Sequence, residues 1–152
     1  MEDRAQVTVL PPLIPLLAIG AGFLIHLALP IPIVTAAATM PAGIVLVVVS
    51  VLLVVAAARE LARARTAFDV RKPTTSLVRR GVFQLSRNPV YLSMLLLCVG
   101  IALLANSMAL LAFSLLAGSA LCLLVIRKEE RYPEQKFGST YLAYKSSVRR
   151  WI

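Results

Sequence analysis

Charged positions are missing from two long blocks of the chain. Between Ala5 and Ala58 there is no Asp, Glu, Lys or Arg, only His26, and between Pro89 and Ile126 there is none. A helix needs about 20 apolar residues to cross the hydrocarbon of a bilayer, so each block holds two spans joined by a turn. The spans are expected at about residues 10–29, 41–58, 90–105 and 107–126. Pro30, Pro32 and Pro41 mark the first turn and Asn106-Ser107 the second, because proline and asparagine disfavour helix interiors. The fourth helix is expected to run on to Phe137. At 1.5 Å per residue it is then about 45 Å long against roughly 30 Å of hydrocarbon, and its last turns project from the membrane. Pro133 should kink this projection. Gly138 suits a helix C-cap, and Ser139 or Thr140 can cap a last helix on which Tyr141, Tyr144, Val148 and Trp151 share a face. The fold class expected is all-α: a polytopic membrane bundle of four transmembrane helices plus this short C-terminal interfacial helix, one domain over residues 1–152.

Composition supports the bilayer as solvent. At 59 % hydrophobic residues, a soluble domain of this size would leave too much apolar surface wet. Eight of the 16 lysines and arginines lie between Arg59 and Arg87, seven between Arg127 and Arg150, and Arg4 stands near the start. Neither hairpin turn carries one, so both basic segments and both termini are expected in the cytoplasm, with the protein in the inner or plasma membrane. The net charge of +9 then faces lipid headgroups rather than nucleic acid. The apolar start does not read as a signal peptide, since Glu2 and Asp3 precede it and no small-residue cleavage site follows. Cys98 and Cys122 lie inside spans as packing residues, and no metal site is expected, because two lone cysteines lack ligand spacing. Ser114, Gly118 and Cys122, spaced by four, permit a close helix contact.

Two polar segments could carry chemistry. Ser86-Arg87-Asn88-Pro89 opens the third span, with Asn88 as N-cap and Pro89 as first helical residue. A helix N-terminus beside an arginine is also a ready anion site. On the projecting helix, Arg127, Glu130, Arg131 and Glu134 share one face by their i, i+3, i+4 and i+7 spacing. A solvated, self-paired stripe is the plainer explanation, but carboxylates this close to the hydrocarbon are also placed to hold a cation. Glu129 and Glu130 point about 100° apart, which argues against a dyad. His26 is expected to be neutral and hydrogen-bonded to a neighbouring helix, although an ionisable group inside a membrane is a functional candidate by default. No span carries an acidic residue, which argues against a proton-coupled carrier and against a small multidrug-type transporter.

Taken together, Thr74-Thr75-Ser76-Leu77-Val78, Gly81-Val82-Phe83 and Arg87-Asn88-Pro89-Val90-Tyr91-Leu92 resemble the isoprenylcysteine carboxyl methyltransferase and phospholipid methyltransferase group of membrane enzymes. Arg127, Glu129-Glu130, Phe137-Gly138, Tyr141, Tyr144, Val148 and Trp151 extend the resemblance, which covers about residues 73–152. It implies S-adenosylmethionine as cofactor, held in a region of about residues 73–93 and 122–151. Carried over, Arg87, Asn88, Pro89, Tyr91 and Leu92 line the cofactor from one side and Glu129 and Glu130 from the other. Arg127 and Glu130 are expected nearest the reacting centre. Ser93 stands where the family often has glycine, and Asn88 where it often has histidine.

The function implied is transfer of a methyl group to a lipophilic or lipidated acceptor, foremost a prenylcysteine-type carboxylate. A phospholipid amine is the main rival, and a non-enzymatic transporter or scaffold the reading from another class. Displacement at a sulfonium calls for alignment and exclusion of water, not for a metal.

Overall fold

A computed structural model describes residues 10–65 and 77–152. Among these residues the fold is all helical. Helix α1 covers Leu13–Ala28 and α2 covers Ala36–Arg63. A 3-10 turn at Gly81–Gln84 leads to α3 at Pro89–Leu104. Helix α4 runs over Met108–Phe137, and α5 over Ser139–Ser147. Two of these, α2 and α4, are both long and apolar enough to cross a membrane; α1 and α3 are apolar but shorter.

The helices do not pack in chain order. α2 lies on α3, α3 on α4, and α4 on α1. Small residues set the crossings. A Cβ added at Gly43 would stand 2.9 Å from the Gly100 carbonyl oxygen and from the Leu104 nitrogen, so α2 and α3 touch backbone to backbone. A Cβ at Gly22 would come as close to Leu110 of α4. Gly118 accommodates Leu95, which realises the close contact expected from the small residues of α4. In an apolar solvent no hydrophobic drive separates helix from lipid, and such close approach supplies the packing instead. One buried hydrogen bond, from Ser50 Oγ to the Ser93 carbonyl at 2.8 Å, joins α2 to α3.

Asn106 fastens the α3–α4 turn to the α1–α2 connector on the side away from the charged segments. Its carboxamide accepts from the Ile33 N–H at 3.0 Å and donates to the Val34 carbonyl at 2.8 Å. Ser107 then caps α4 by accepting from the Leu110 N–H. The turn expected at Asn106-Ser107 is therefore present, and it also holds the connector between α1 and α2.

Three expectations need correction. Pro41 lies inside α2 rather than in the turn before it; this near the helix start, a proline removes one hydrogen bond and leaves the rest of the helix intact. His26 does not hydrogen-bond to a neighbouring helix through Nδ1, which is buried without a partner among the described residues. The last helix ends at Ser147, and Val148 is extended, so Val148 and Trp151 do not continue the face of Tyr141 and Tyr144. The stretch Thr74 to Ser76 and the first residues, including Arg4, lie outside the described residues.

Candidate functional site

The polar end of the bundle is built where α3 starts and α4 leaves its apolar stretch. Pro89 fixes the first turn of α3, and Asn88 stands at the N-cap without capping through its side chain. Its amide is engaged elsewhere, donating to the Arg150 carbonyl at 3.3 Å. Ser86 Oγ donates to the same carbonyl at 3.1 Å and accepts from the Asn88 N–H at 3.2 Å. The Arg87 N–H donates to the Arg149 carbonyl at 3.0 Å. The extended tail after α5 is thereby stitched alongside residues 86–88.

That stitching delivers the Arg150 guanidinium to α4. Its Nε lies 3.1 Å from Glu130 Oε1 and its Nη2 lies 2.7 Å from Oε2, a two-pronged pair. Arg87 Nη2 approaches the same carboxylate at 3.4 Å. Burial alone would raise the pKa of Glu130; the Arg150 hydrogen bonds, the two guanidinium charges and the Asn88 amide outweigh it and hold the carboxyl below its usual range. Two arginines against one carboxylate leave the trio with a surplus positive charge. The Arg87 side chain is only 9 % exposed, yet its Nε and Nη1 are buried with no hydrogen-bond partner among the described residues. Buried donors are nearly always paired, so these atoms call for an acceptor that the described residues do not supply.

Glu129 belongs to a different partner, as neighbouring residues on a helix should. The Tyr91 hydroxyl donates to its Oε1 at 2.5 Å. Burial pushes the Glu129 carboxyl up to about 7, with Tyr91 pulling against it and the Glu130 charge adding to it. Tyr141 and Tyr144 wall the site edge to face, with ring centres 6.3 Å apart. Burial pushes both hydroxyls up to about 12. Tyr144 donates to the Phe83 carbonyl at 2.5 Å and so ties the 3-10 turn to α5. That turn needs Gly81, whose φ of +56° sits against the Glu60 side chain.

The inner wall comes from an irregularity in α4. Leu121–Ile126 forms a π turn, and Leu121, Val125 and Ile126 are fully buried there against Tyr91. Such widened turns recur at functional sites. The regular helix is broken again at Glu130, three residues before Pro133, which has no N–H to give to the Glu129 carbonyl.

Of the residues singled out in the sequence, Arg87, Asn88, Tyr91, Glu129 and Glu130 meet here. Pro89 and Leu92 are buried in the first turn of α3. Arg127 is not among them: it is exposed, and the position beside Glu130 is filled by Arg150. The Glu130 carboxylate turns inward at the helix break while Arg127 stays on the outer face. Sequence reasoning missed Arg150 because it reaches Glu130 from an extended tail, 20 residues on in the chain, where helical spacing gives no link. Ser93, in place of glycine, is buried and donates back to the Val90 carbonyl at 2.6 Å, so the departure is absorbed within α3.

The pattern of one known family, described as phospholipid methyltransferase, matches residues 38–140, more than half of the chain. The chain belongs to this phospholipid methyltransferase family. The match takes in α2, α3 and the Glu129-Glu130 segment. A protein of Haemophilus influenzae (strain ATCC 51907 / DSM 11121 / KW20 / Rd), described as uncharacterized, is 42 % identical over 69 residues, 41 % of this chain and 100 % of that protein. No solved structure matches. Membership of the phospholipid methyltransferase family, together with the two long apolar helices, identifies a membrane protein of a methyltransferase family that generally uses S-adenosylmethionine.

Proposed function

We propose that this protein is an integral-membrane methyltransferase that uses S-adenosylmethionine to methylate a lipophilic acceptor, with its site at the cytoplasmic end of a four-span bundle. The observation that carries the reading is Arg87, nearly buried and holding two donor atoms, Nε and Nη1, without an acceptor among the described residues. A carboxylate is the natural partner of such a fork, and the amino-acid end of the cofactor brings one. Glu130 and Arg150 fix the Arg87 guanidinium in place. Glu129, Tyr91 and Asn88 complete the polar wall, and Tyr141 with the π turn excludes water. When bound, S-adenosylmethionine supplies an electrophilic methyl group on a sulfonium. The chain's own contribution is alignment of two reactants in a dry setting.

Two acceptor classes fit different parts of this site. The surplus positive charge favours a carboxylate such as that of a prenylated cysteine, which a guanidinium can orient. Glu129 favours an amine such as a phospholipid headgroup. Its carboxyl, titrating near 7, holds a proton or releases it at neutral pH and can take one from an ammonium. The description of the family leans to the second class.

Calorimetric titration of S-adenosylmethionine into the detergent-purified protein tests the cofactor. Saturable binding that Glu130→Gln weakens at least tenfold is the expected result, and no binding by a folded wild-type protein overturns the reading. Methyl incorporation into phosphatidylethanolamine against a farnesylated cysteine then separates the acceptors. For orientation, Ile31→Cys should react with a membrane-impermeant maleimide only from the non-cytoplasmic side.

A further inference from the structure

A second polar feature lies outside the Arg87–Glu130–Arg150 trio. Between the 3-10 turn and α5 is an open cavity of about 580 Å³ lined by Arg79, Arg80, Gln84, Tyr144, Ser147 and Val148. Two arginines line it and no carboxylate does. Both guanidinium groups are exposed, and among the described residues neither forms an ion pair. Glu60, packed against Gly81 next to Arg80, is engaged by Arg63 at 2.6 Å, and farther along the chain Glu130 is engaged by Arg87 and Arg150 and Glu134 by Lys145. The Tyr144 hydroxyl is bonded to Phe83, so its ring is a fixed wall.

Exposed apolar side chains adjoin the lining residues in the chain. Leu85, next to Gln84, is 70 % exposed, and Leu142, next to Ala143, is 48 % exposed. Large apolar side chains left open beside paired cations mark the boundary between acyl chains and headgroups, where apolar groups dip inward and cations meet phosphate. Arginine suits that partner, because its planar fork reaches two phosphate oxygens at once.

We infer that the Arg79–Arg80 cavity binds the phosphate of an anionic phospholipid, held with its chains in the leaflet beside Leu85 and Leu142. The cavity lies within the stretches that the resemblance gives to the cofactor, residues 73–93 and 122–151, and Tyr144 borders both sites, but it uses none of Arg87, Asn88, Pro89, Tyr91, Leu92, Glu129 and Glu130.

The test is native mass spectrometry of the full chain released from detergent, titrated with phosphatidylglycerol, with phosphatidylcholine and with inorganic phosphate. One retained phosphatidylglycerol per chain is expected, at least tenfold tighter than phosphatidylcholine. The double variant Arg79→Gln, Arg80→Gln should weaken it roughly 10- to 30-fold, while Arg79→Lys, Arg80→Lys keeps most of it. Thermal melting of both variants shows that they are folded. Equal retention by wild type and the glutamine variant overturns the site, as does equal retention of the two lipids. Inorganic phosphate binding as tightly as the lipid overturns the lipid as its occupant. Displacement by saturating S-adenosylmethionine also overturns the proposal, because the cavity then belongs to the cofactor.

Discussion

The apolar body of the bundle and its polar end are held together by different means. In the body, α2 meets α3 through Gly43 and Gly100, and α1 meets α4 through Gly22, with one serine hydrogen bond buried between α2 and α3. At the polar end, residues 86–91 of one segment, 129–130 of a second and 149–150 of a third are tied by hydrogen bonds and ion pairs. The body depends on size and tolerates exchange among apolar residues; the polar end depends on chemical identity. A size change in the first and a charge change in the second should therefore fail in different observables.

The largest effect is expected from size. Gly43→Leu would drive a side chain into the Gly100 carbonyl and the Leu104 backbone, and overpacking on this scale costs about 3 kcal/mol or more. Its melting temperature in detergent should fall sharply, and a stable variant would contradict backbone contact at this crossing. Next comes charge. Glu130→Gln leaves two guanidinium groups without their counter-ion, a loss of roughly 2–4 kcal/mol after allowing for the part-exposed Arg150. Unlike Gly43→Leu, it should impair cofactor binding even at temperatures where the protein remains folded.

A smaller effect follows from Glu129. Its pKa in the folded protein is raised from 4.5 to about 7, so the native state holds a proton that the unfolded chain has released. Stability contributed by this group is thus present below the unfolded value and is lost as pH rises toward 7. The carboxyl infrared band should titrate with a midpoint near 7 and vanish in Glu129→Gln. Tyr91→Phe removes the hydrogen bond that pulls the value down, so the midpoint should move up. The smallest change is expected for Lys145→Ala. It breaks a half-exposed pair with Glu134 at 3.0 Å and should cost about 0.2–1 kcal/mol, detectable only in a denaturation midpoint.

The contrast also explains what could be read from the sequence. Uncharged blocks and their breaks located the helices, because hydropathy reports burial in lipid directly. The Asn106-Ser107 turn and the long reach of α4 were legible for the same reason. The packing order was not, since nothing in an apolar run says which apolar run it meets. At the polar end, Arg87, Tyr91 and Glu129-Glu130 stood out by residue type and position. Regular helical spacing links Arg127 to Glu130, and nothing of that kind points to Arg150, which arrives through an extended tail. The π turn at Leu121–Ile126 left no trace in an unbroken apolar string.

The packing order also sets a timetable. α1 is made first, yet its neighbour is α4, and the contact between Gly22 and Leu110 is 88 residues apart in the chain. At roughly 5–20 residues per second, the first helix waits about 4–18 s for its partner. On the four-span reading it passes that interval in the bilayer with Gly22 and His26 facing lipid, before Asn106 fastens the connector behind it. Anything that escorts a newly inserted helix would find its client here in α1 rather than in α2, which gains α3 as soon as the second hairpin enters.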